Sequence, residues 1–505
     1  MTAALHELAP IVEPAVVGQG GMTIADVVRV AANGVCAVLD PQARARMLSS
    51  RAVVERVLDR GDSVYGLNTG VGPQKTVLVA PAEQEQFNRL MILAHCVGHG
   101  ETAPSEFVRA AMLVRAEGLA LGAAGVRPDL VEALLAALNA DALPRVHLIG
   151  SLGQSDLAPL AEIARALIGE GPDASTVARA GLPPLRLAPR EALALINSNA
   201  FTVGIAALAL ARAYTALGAL ELSAALSFEG FVANVAAIDP AVASLRPHTG
   251  IGQTIDHLRK LLAGGALLNG TRAPRNLQDP LCFRVIPQTH AAAHHALTHA
   301  RELVETELHS ATDNPAVLMD EDRMLPNGNH DIAPVAVALD YARLGLAQAV
   351  TIANERIQKL LDSRFSGLPS GLRAHTDLAE DGLAVIGHGS SALAAEARLL
   401  AAPVSLEHPT SSAAEGIEDR ITLAPVAARR LHEMAGYVTR LAAIELVCAS
   451  QAVDLRDLNT DLGQGTANSY AAVRTHIPFV GAGQAPLDEL QPLVQWLETL
   501  MGEIP

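Results

Sequence analysis

The sequence predicts an all-α protein built around a bundle of long helices, and three observations predict it. Half of the residues are apolar but only 3% are aromatic, so the interior has to be filled by small and aliphatic side chains that let helices pack closely. The longest apolar tract, INSNAFTVGIAALALARAYTALGALELSAALSF at 196–228, is broken by Asn197, Asn199, Arg212 and Glu221. That is too polar for a membrane span, and the tract reads as a buried bundle helix. At 505 residues the chain also exceeds one ordinary hydrophobic core, so several packed regions are expected.

Taken in order, TIADVVRVAANG and PQARARMLSSRAVVERVLDRG read as short helices, each closed by a glycine able to take the left-handed C-cap conformation. SVYGLNTGVGPQ follows as a glycine-rich loop with Tyr65 at its head. PAEQEQFNRLMILAHCVGHGE and PSEFVRAAMLVRAEGLALG have helical spacing, and GEGPDASTVARAGLPPLRLAPREALAL is an irregular excursion before the long apolar helix. Beyond residue 195 long helices alternate with polar loops at 245–252, 267–290, 310–333 and 404–420. The plan expected is a loop-rich N-terminal region over 1–200, a central helical bundle over 201–400 and a C-terminal helical region over 401–505.

Charge and composition narrow the function. Against 53 acidic residues stand 37 basic ones, a formal charge of −16, and Lys75, Lys260 and Lys359 are the only lysines. A nucleic-acid surface needs a basic stripe, so that class is excluded. Four cysteines lie far apart, without metal-site or disulfide-scaffold spacing. With no secretory leader pattern, a reduced cytoplasmic setting is expected, with no membrane association. His290, His294, His295 and His299 include i, i+4 pairs that suit zinc, but no HExxH motif accompanies them, so a histidine-rich helix face is the expectation and no metal. GVGPQK lacks the strand and helix context of a phosphate loop, and no cofactor is implied.

Unusual polar residues gather in the loops, where a rigid scaffold can position them. YGLNTGVG, AHCVGHGE, GSLGQSDLAPLA, EALALIN, LQDPLCFRVIPQ, TDNP, NGNHDIAP and IEDRITLAPVAARRL occur in that order. In order and spacing they resemble the motifs of the aromatic amino acid lyase family, over about residues 20–460. The resemblance implies an L-aspartase/fumarase-like helical fold and a homotetramer whose active sites are each built from three chains. It also implies elimination of an amine from a small amino acid substrate across its Cα–Cβ bond.

The departures from the family pattern carry as much information. The family makes its methylidene-imidazolone electrophile from an Ala-Ser-Gly triad, whereas this chain is one residue short there and has only Gln154 and Ser155 before Asp156. Ring closure would require Asp156 to supply the attacking nitrogen, without the steric freedom of glycine. No modified electrophile is therefore expected. Leu281 stands where the family has a second tyrosine after QDP, His330-Asp331 where it has Phe-His, and Ile417-Glu418-Asp419-Arg420 where it has QEDH; a three-residue insertion lies between Pro409 and Glu418.

By resemblance, Tyr65 is the general base and Arg284 the carboxylate clamp, with Asn197 bonded to substrate. A phenol with a pKa near ~10 acts as a base only as phenolate, so Tyr65 needs a positive or hydrogen-bonding environment, which His95 and the glycine-loop amides could supply. A guanidinium binds a carboxylate through two parallel hydrogen bonds. Glu418, His330, Asp331 and His388 are candidates for binding and polarising a substrate ring, with Glu418, His388 and Asp331 the candidates for direct catalysis; Lys75 is a weaker binding candidate. Each has a plainer reading: a packed loop tyrosine for Tyr65, an ion pair for Arg284, a helix cap for Asn197, a polar turn for His330-Asp331 and a core histidine for His388.

The electrophile exists because an amine leaves poorly. A trimethylammonium group has no lone pair to add to it and already leaves well. The expected activity is elimination of trimethylamine from ergothioneine, the betaine of 2-thiolhistidine, giving thiourocanate. The alternatives are a histidine or tyrosine ammonia-lyase or aminomutase with an atypical electrophile, and an inactive relative in a mixed oligomer.

Overall fold

The computed structural model describes residues 13–375, 377, 379–406, 416–482 and 490–500. The chain is mostly helical, and among the described residues short strands form three two-stranded ladders. It divides into two compact units, the first comprising Met1–Leu208, Leu303–Ala336 and Ser405–Ala428, the second Ala209–Glu302, Val337–Val404 and Arg429–Pro505. The units therefore do not follow a consecutive partition near residues 200 and 400. Four of their five boundaries fall inside the helices Ala200–Phe231, Ile286–Leu308, Ala333–Leu361 and Ala424–Leu455, and the fifth follows Val404, beyond the helix Ile386–Leu400.

In the first unit the helices anticipated near the N-terminus form, and side-chain caps that the sequence reading did not name start them. Thr23 and Asp26 make a reciprocal capping box before Ile24–Ala31, and Asp40 caps Pro41–Arg60, which ends at Gly61 in the left-handed region (φ 75°). The parallel ladder Ala15–Val17 with Ala37–Leu39 was not legible, because three-residue strands carry no measurable alternation. Gln84–His95, Ser105–Ala120 and Leu157–Leu167 supply the helical walls beneath the loops. The irregular excursion contains only two short helices, Ala174–Arg179 and Glu191–Ile196.

The helix Ala200–Phe231 is the buried core element its composition predicted, lined by side chains such as Ala206, Leu210, Ala224 and Phe228. In the second unit, Arg356 and Glu445 are both fully buried and pair through two hydrogen bonds of 2.6 and 2.9 Å. Ser223 and Ser227 donate to the same carboxylate at 2.9 and 2.7 Å, so every oxygen lone pair facing the core finds a donor.

The histidine-rich helix Ile286–Leu308 is also explained in this unit. Buried Glu221 accepts hydrogen bonds from His257 Nδ1 at 2.5 Å and His294 Nε2 at 2.9 Å, with His290 Nδ1 at 3.4 Å. Burial opposes ionisation of Glu221, but these histidines outweigh it and hold the carboxyl well below its ordinary range. His295 faces the His248 ring and His299 the Tyr341 ring. Among the described residues no group of three metal-ligating side chains is assembled.

Glu307, in the first unit, is pushed up to about 7 by burial. The folded state thus retains a proton that an unfolded glutamate loses above its ordinary value of 4.5. Stability from this group is present at low pH and falls as pH rises toward 7. Glu307→Gln is expected to stabilise the protein by about 2 kcal/mol at pH 8 and to change little at pH 5. Thermal melts at the two pH values check this, and equal shifts at both would contradict it.

Candidate active site

The loop after Pro41–Arg60 is folded by its own polar residues. Asn68 Oδ1 accepts from the Val64 amide at 2.9 Å, Asn68 Nδ2 donates to the Asp62 carbonyl at 2.8 Å, and the Gly70 amide donates to Val77 at 2.9 Å. Gly66 is in the left-handed region (φ 66°), and a Cβ there would lie 2.2 Å from Leu193 Cδ2. These constraints turn Tyr65 into a cavity of about 480 Å³ within the first unit.

The wall opposite comes from residues 417–420, stitched to the loop at 150–156. Thr422 and Leu423 amides donate to the Leu152 carbonyl at 3.2 and 3.0 Å, and Thr422 Oγ1 donates to Gly153 at 2.9 Å. Only glycine fits at 153, since a Cβ would lie 2.0 Å from Thr422 Oγ1. Tyr65, His95, Gln154, Asn197, His330, Glu418 and Arg420 all line the same cavity.

Tyr65 Oη accepts a hydrogen bond of 2.9 Å from the Gly72 amide. Burial pushes its pKa up, the Gly72 bond opposes this, and the negative charge of Glu418 adds to the rise. The environment of a single empty chain therefore favours the phenol, and the positive charge needed to form phenolate has to come from substrate or a further side chain. His95 Nδ1 lies 2.7 Å from the Met91 carbonyl, a group that can only accept, so Nδ1 carries a proton and donates it there. His330 is pushed below its ordinary pKa by burial, partly offset by Asp331 and Glu418, and its Nδ1 is buried without a hydrogen-bond partner.

The shortened loop at 154–156 shows what the missing residue changes. Ser155 takes a left-handed backbone (φ 67°) that L-residues rarely adopt. Its amide donates to Asn199 Oδ1 at 3.1 Å and its hydroxyl to Asn197 Oδ1 at 2.5 Å, which holds the strained turn. Ser155 is buried, and it is Gln154 that reaches the cavity. Asp156, fully buried, is committed at both ends. Its amide donates to Ser198 at 2.6 Å. Its carboxylate accepts from Ser151 Oγ at 2.7 Å, Thr202 Oγ1 at 2.8 Å and the Thr202 amide at 2.7 Å, at the start of Ala200–Phe231. Burial pushes this carboxyl up against those donors.

Several sequence assignments need correction. Asp331 does not line the cavity: its carboxylate accepts the Ala333 amide at 2.9 Å, Gln154 Nε2 at 2.8 Å and Arg420 Nε at 3.1 Å. It is a helix cap and an anchor, the polar-turn reading, and these donors outweigh burial to hold its pKa below the ordinary value. Lys75 is exposed at the end of the turn Gly72–Gln74 and does not reach the cavity, because the turn points it to solvent. Asn197 lines the cavity but its amide is engaged, donating to the Asn314 carbonyl at 3.1 Å and accepting from Ser155; it closes Glu191–Ile196 as a C-cap.

Arg284 and His388 belong to the second unit. Arg284 follows Pro280 on the single turn Leu281–Arg284 and lines a different cavity with Arg246 and Gln288. His388 is exposed on Ile386–Leu400 and is not a core residue. Most of the insertion between Pro409 and Glu418 lies outside the described residues. Arg420, by contrast, was singled out from sequence only as a departure, and it is the one guanidinium on the cavity wall among the described residues. Its position directly after Glu418-Asp419 was the available signal.

Comparison with known proteins agrees with this architecture. The aromatic amino acid lyase model matches residues 22–475. This chain belongs to the aromatic amino acid lyase family. It is a carbon–nitrogen lyase. A histidine ammonia-lyase of Deinococcus radiodurans is 36% identical over 456 residues, covering 87% of this chain and 85% of the relative. One from Symbiobacterium thermophilum is 34% identical, covering 94% of each. Among solved structures, ergothionase from Treponema denticola, in complex with desmethyl-ergothioneine sulfonic acid, superposes with a TM-score of 0.90 at 26% identity, covering 97% of this lyase and 100% of that chain. Tyrosine aminomutase from Streptomyces globisporus gives 0.91 at 28% identity, covering 96% and 97%.

Proposed function

We propose that this lyase eliminates trimethylamine from ergothioneine to give thiourocanate, without a methylidene-imidazolone. The observation that carries the reading is the loop at Gln154-Ser155-Asp156. A ring closed there would draw on the Asp156 amide, which donates to Ser198, and would disturb the carboxylate that caps Ala200–Phe231. A substrate that supplies its own leaving group needs no such ring. Glu418 and Asp419 against the single Arg420 leave the cavity wall with an excess of negative charge, which suits a permanently cationic ammonium group.

In the proposed reaction the phenolate of Tyr65 removes a proton from Cβ. The released pair forms the Cα–Cβ double bond, the Cα–N bond breaks, and its pair leaves on neutral trimethylamine. The ammonium supplies the positive charge that offsets Glu418 beside Tyr65. His330, with its unpartnered Nδ1, and Glu418 bind the ring. Arg284 clamps the carboxylate and is contributed by a neighbouring copy in a homotetramer, the assembly the family resemblance implies.

The identity to histidine ammonia-lyases favours a second reading, ammonia release from histidine through an atypical electrophile. Incubation with ergothioneine, histidine, tyrosine and phenylalanine, assaying trimethylamine separately from ammonia, decides between them. Trimethylamine from ergothioneine with an unmodified intact mass is expected. Ammonia from histidine, with a mass two waters light, would establish the second reading instead.

A further inference from the structure

The cavity wall holds one cation whose guanidinium fork is unbonded among the described residues. Arg420 is fixed at Nε by Asp331 Oδ2, 3.1 Å away, and Asp331 is itself fixed by the Ala333 amide and by Gln154 Nε2. Nη1 and Nη2 of Arg420 carry no hydrogen bond among the described residues, and the side chain is half exposed to the cavity. Here the carboxylate takes the edge nitrogen and the fork is left for something else.

What that something is follows from the neighbouring groups and the chemistry. Arg420 shares its wall with Glu418 and faces the same cavity as His330, the residues assigned above to the ring end of the substrate. A 2-thioimidazole has a resonance form with negative charge on sulfur and a positively charged ring; a cation held at the sulfur favours that form, and the more electron-poor ring acidifies the Cβ hydrogen that Tyr65 removes. We propose that Arg420 is a catalytic residue whose free Nη fork binds the substrate's sulfur and stabilises the negative charge that this form places there. Asp331 and Gln154 are positioning residues: they act through Arg420. The replacement of the electrophile triad and that of the family's QEDH histidine are then one change, since Gln154 from the first and Arg420 from the second meet on Asp331.

The inference rests on the ergothioneine reading, and its test separates the two. Purified full-length protein is assayed with ergothioneine as wild type, Arg420→Gln, Arg420→Lys and Asp331→Asn, with folding checked by thermal melts. Arg420→Gln is expected to lower kcat by about 10²-fold with KM changed less than about threefold, the pattern for a contact made mainly in the transition state. Arg420→Lys recovers part of the loss because charge returns without the fork. Thiourocanate bound to wild type is expected to show a shift of its thione absorbance that Arg420→Gln abolishes, a signature that loop packing alone would not produce. Wild type that releases no trimethylamine overturns both readings. Wild type that does, with kcat of Arg420→Gln within about twofold or with only KM raised, overturns the Arg420 assignment alone.

Discussion

Tyr65→Phe is expected to lower kcat for ergothioneine by about 10³-fold while leaving substrate binding within a few-fold, because the substitution removes only the oxygen that receives the Cβ proton. The Gly72 amide loses its acceptor, but it lies at a loop already held by Asn68 and Gly70, so the fold is retained. The pH dependence has a definite sign. Burial and Glu418 raise the tyrosine above its ordinary value of 10.0, so the phenolate fraction of free enzyme grows about tenfold per pH unit below that value. The kcat/KM of wild type should therefore rise with unit slope from about pH 6 to 9. Burial pushes His330 below its ordinary value, with Asp331 and Glu418 opposing it. A flat profile, or Tyr65→Phe with near-normal kcat, would remove Tyr65 from the role of base.

The largest stability effect is expected in the core of the second unit. Arg356→Met leaves Glu445 fully buried with only Ser223 and Ser227 as donors, and stranding one member of such a pair costs about 3–5 kcal/mol. Glu445→Leu alone strands the guanidinium in the same way. The double variant Arg356→Met/Glu445→Leu should recover most of the loss, since neither charge remains to be desolvated. Denaturant unfolding of the three variants checks this. Additive losses in the double variant would show that the pair is not coupled as its two short hydrogen bonds indicate.

Much of the candidate site was legible because it is local. The glycine loop presents Tyr65 through hydrogen bonds among residues 62–79, and the resemblance of YGLNTGVG to a family motif placed the tyrosine. The shortened GQSD segment was legible as a loss, since a missing residue is visible without coordinates. Its consequence was not. That Asp156 caps a helix starting at residue 200, and that Ser155 turns inward while Gln154 reaches the cavity, depend on contacts 42–46 residues away.

Residue type misled where partners were remote. Asp331 beside His330 has the look of an acid–base pair, yet its oxygens are taken by a helix amide, Gln154 and Arg420, the last 89 residues along the chain. Arg284 sits in a motif of the right order, but order in the chain does not assign a residue to a unit when boundaries pass through continuous helices.

The sequence by itself determined the helical class, the family and the loss of the electrophile triad, because composition, periodicity and motif spacing are properties of neighbours along the chain. Only the tertiary structure decided which polar groups remain available for chemistry. A side chain's hydrogen-bonding capacity is finite, and whether it is already spent depends on partners brought close by folding. Asp156 and Asp331 are spent in this way, whereas His330 Nδ1 is buried without a partner and the Arg420 fork is unbonded among the described residues.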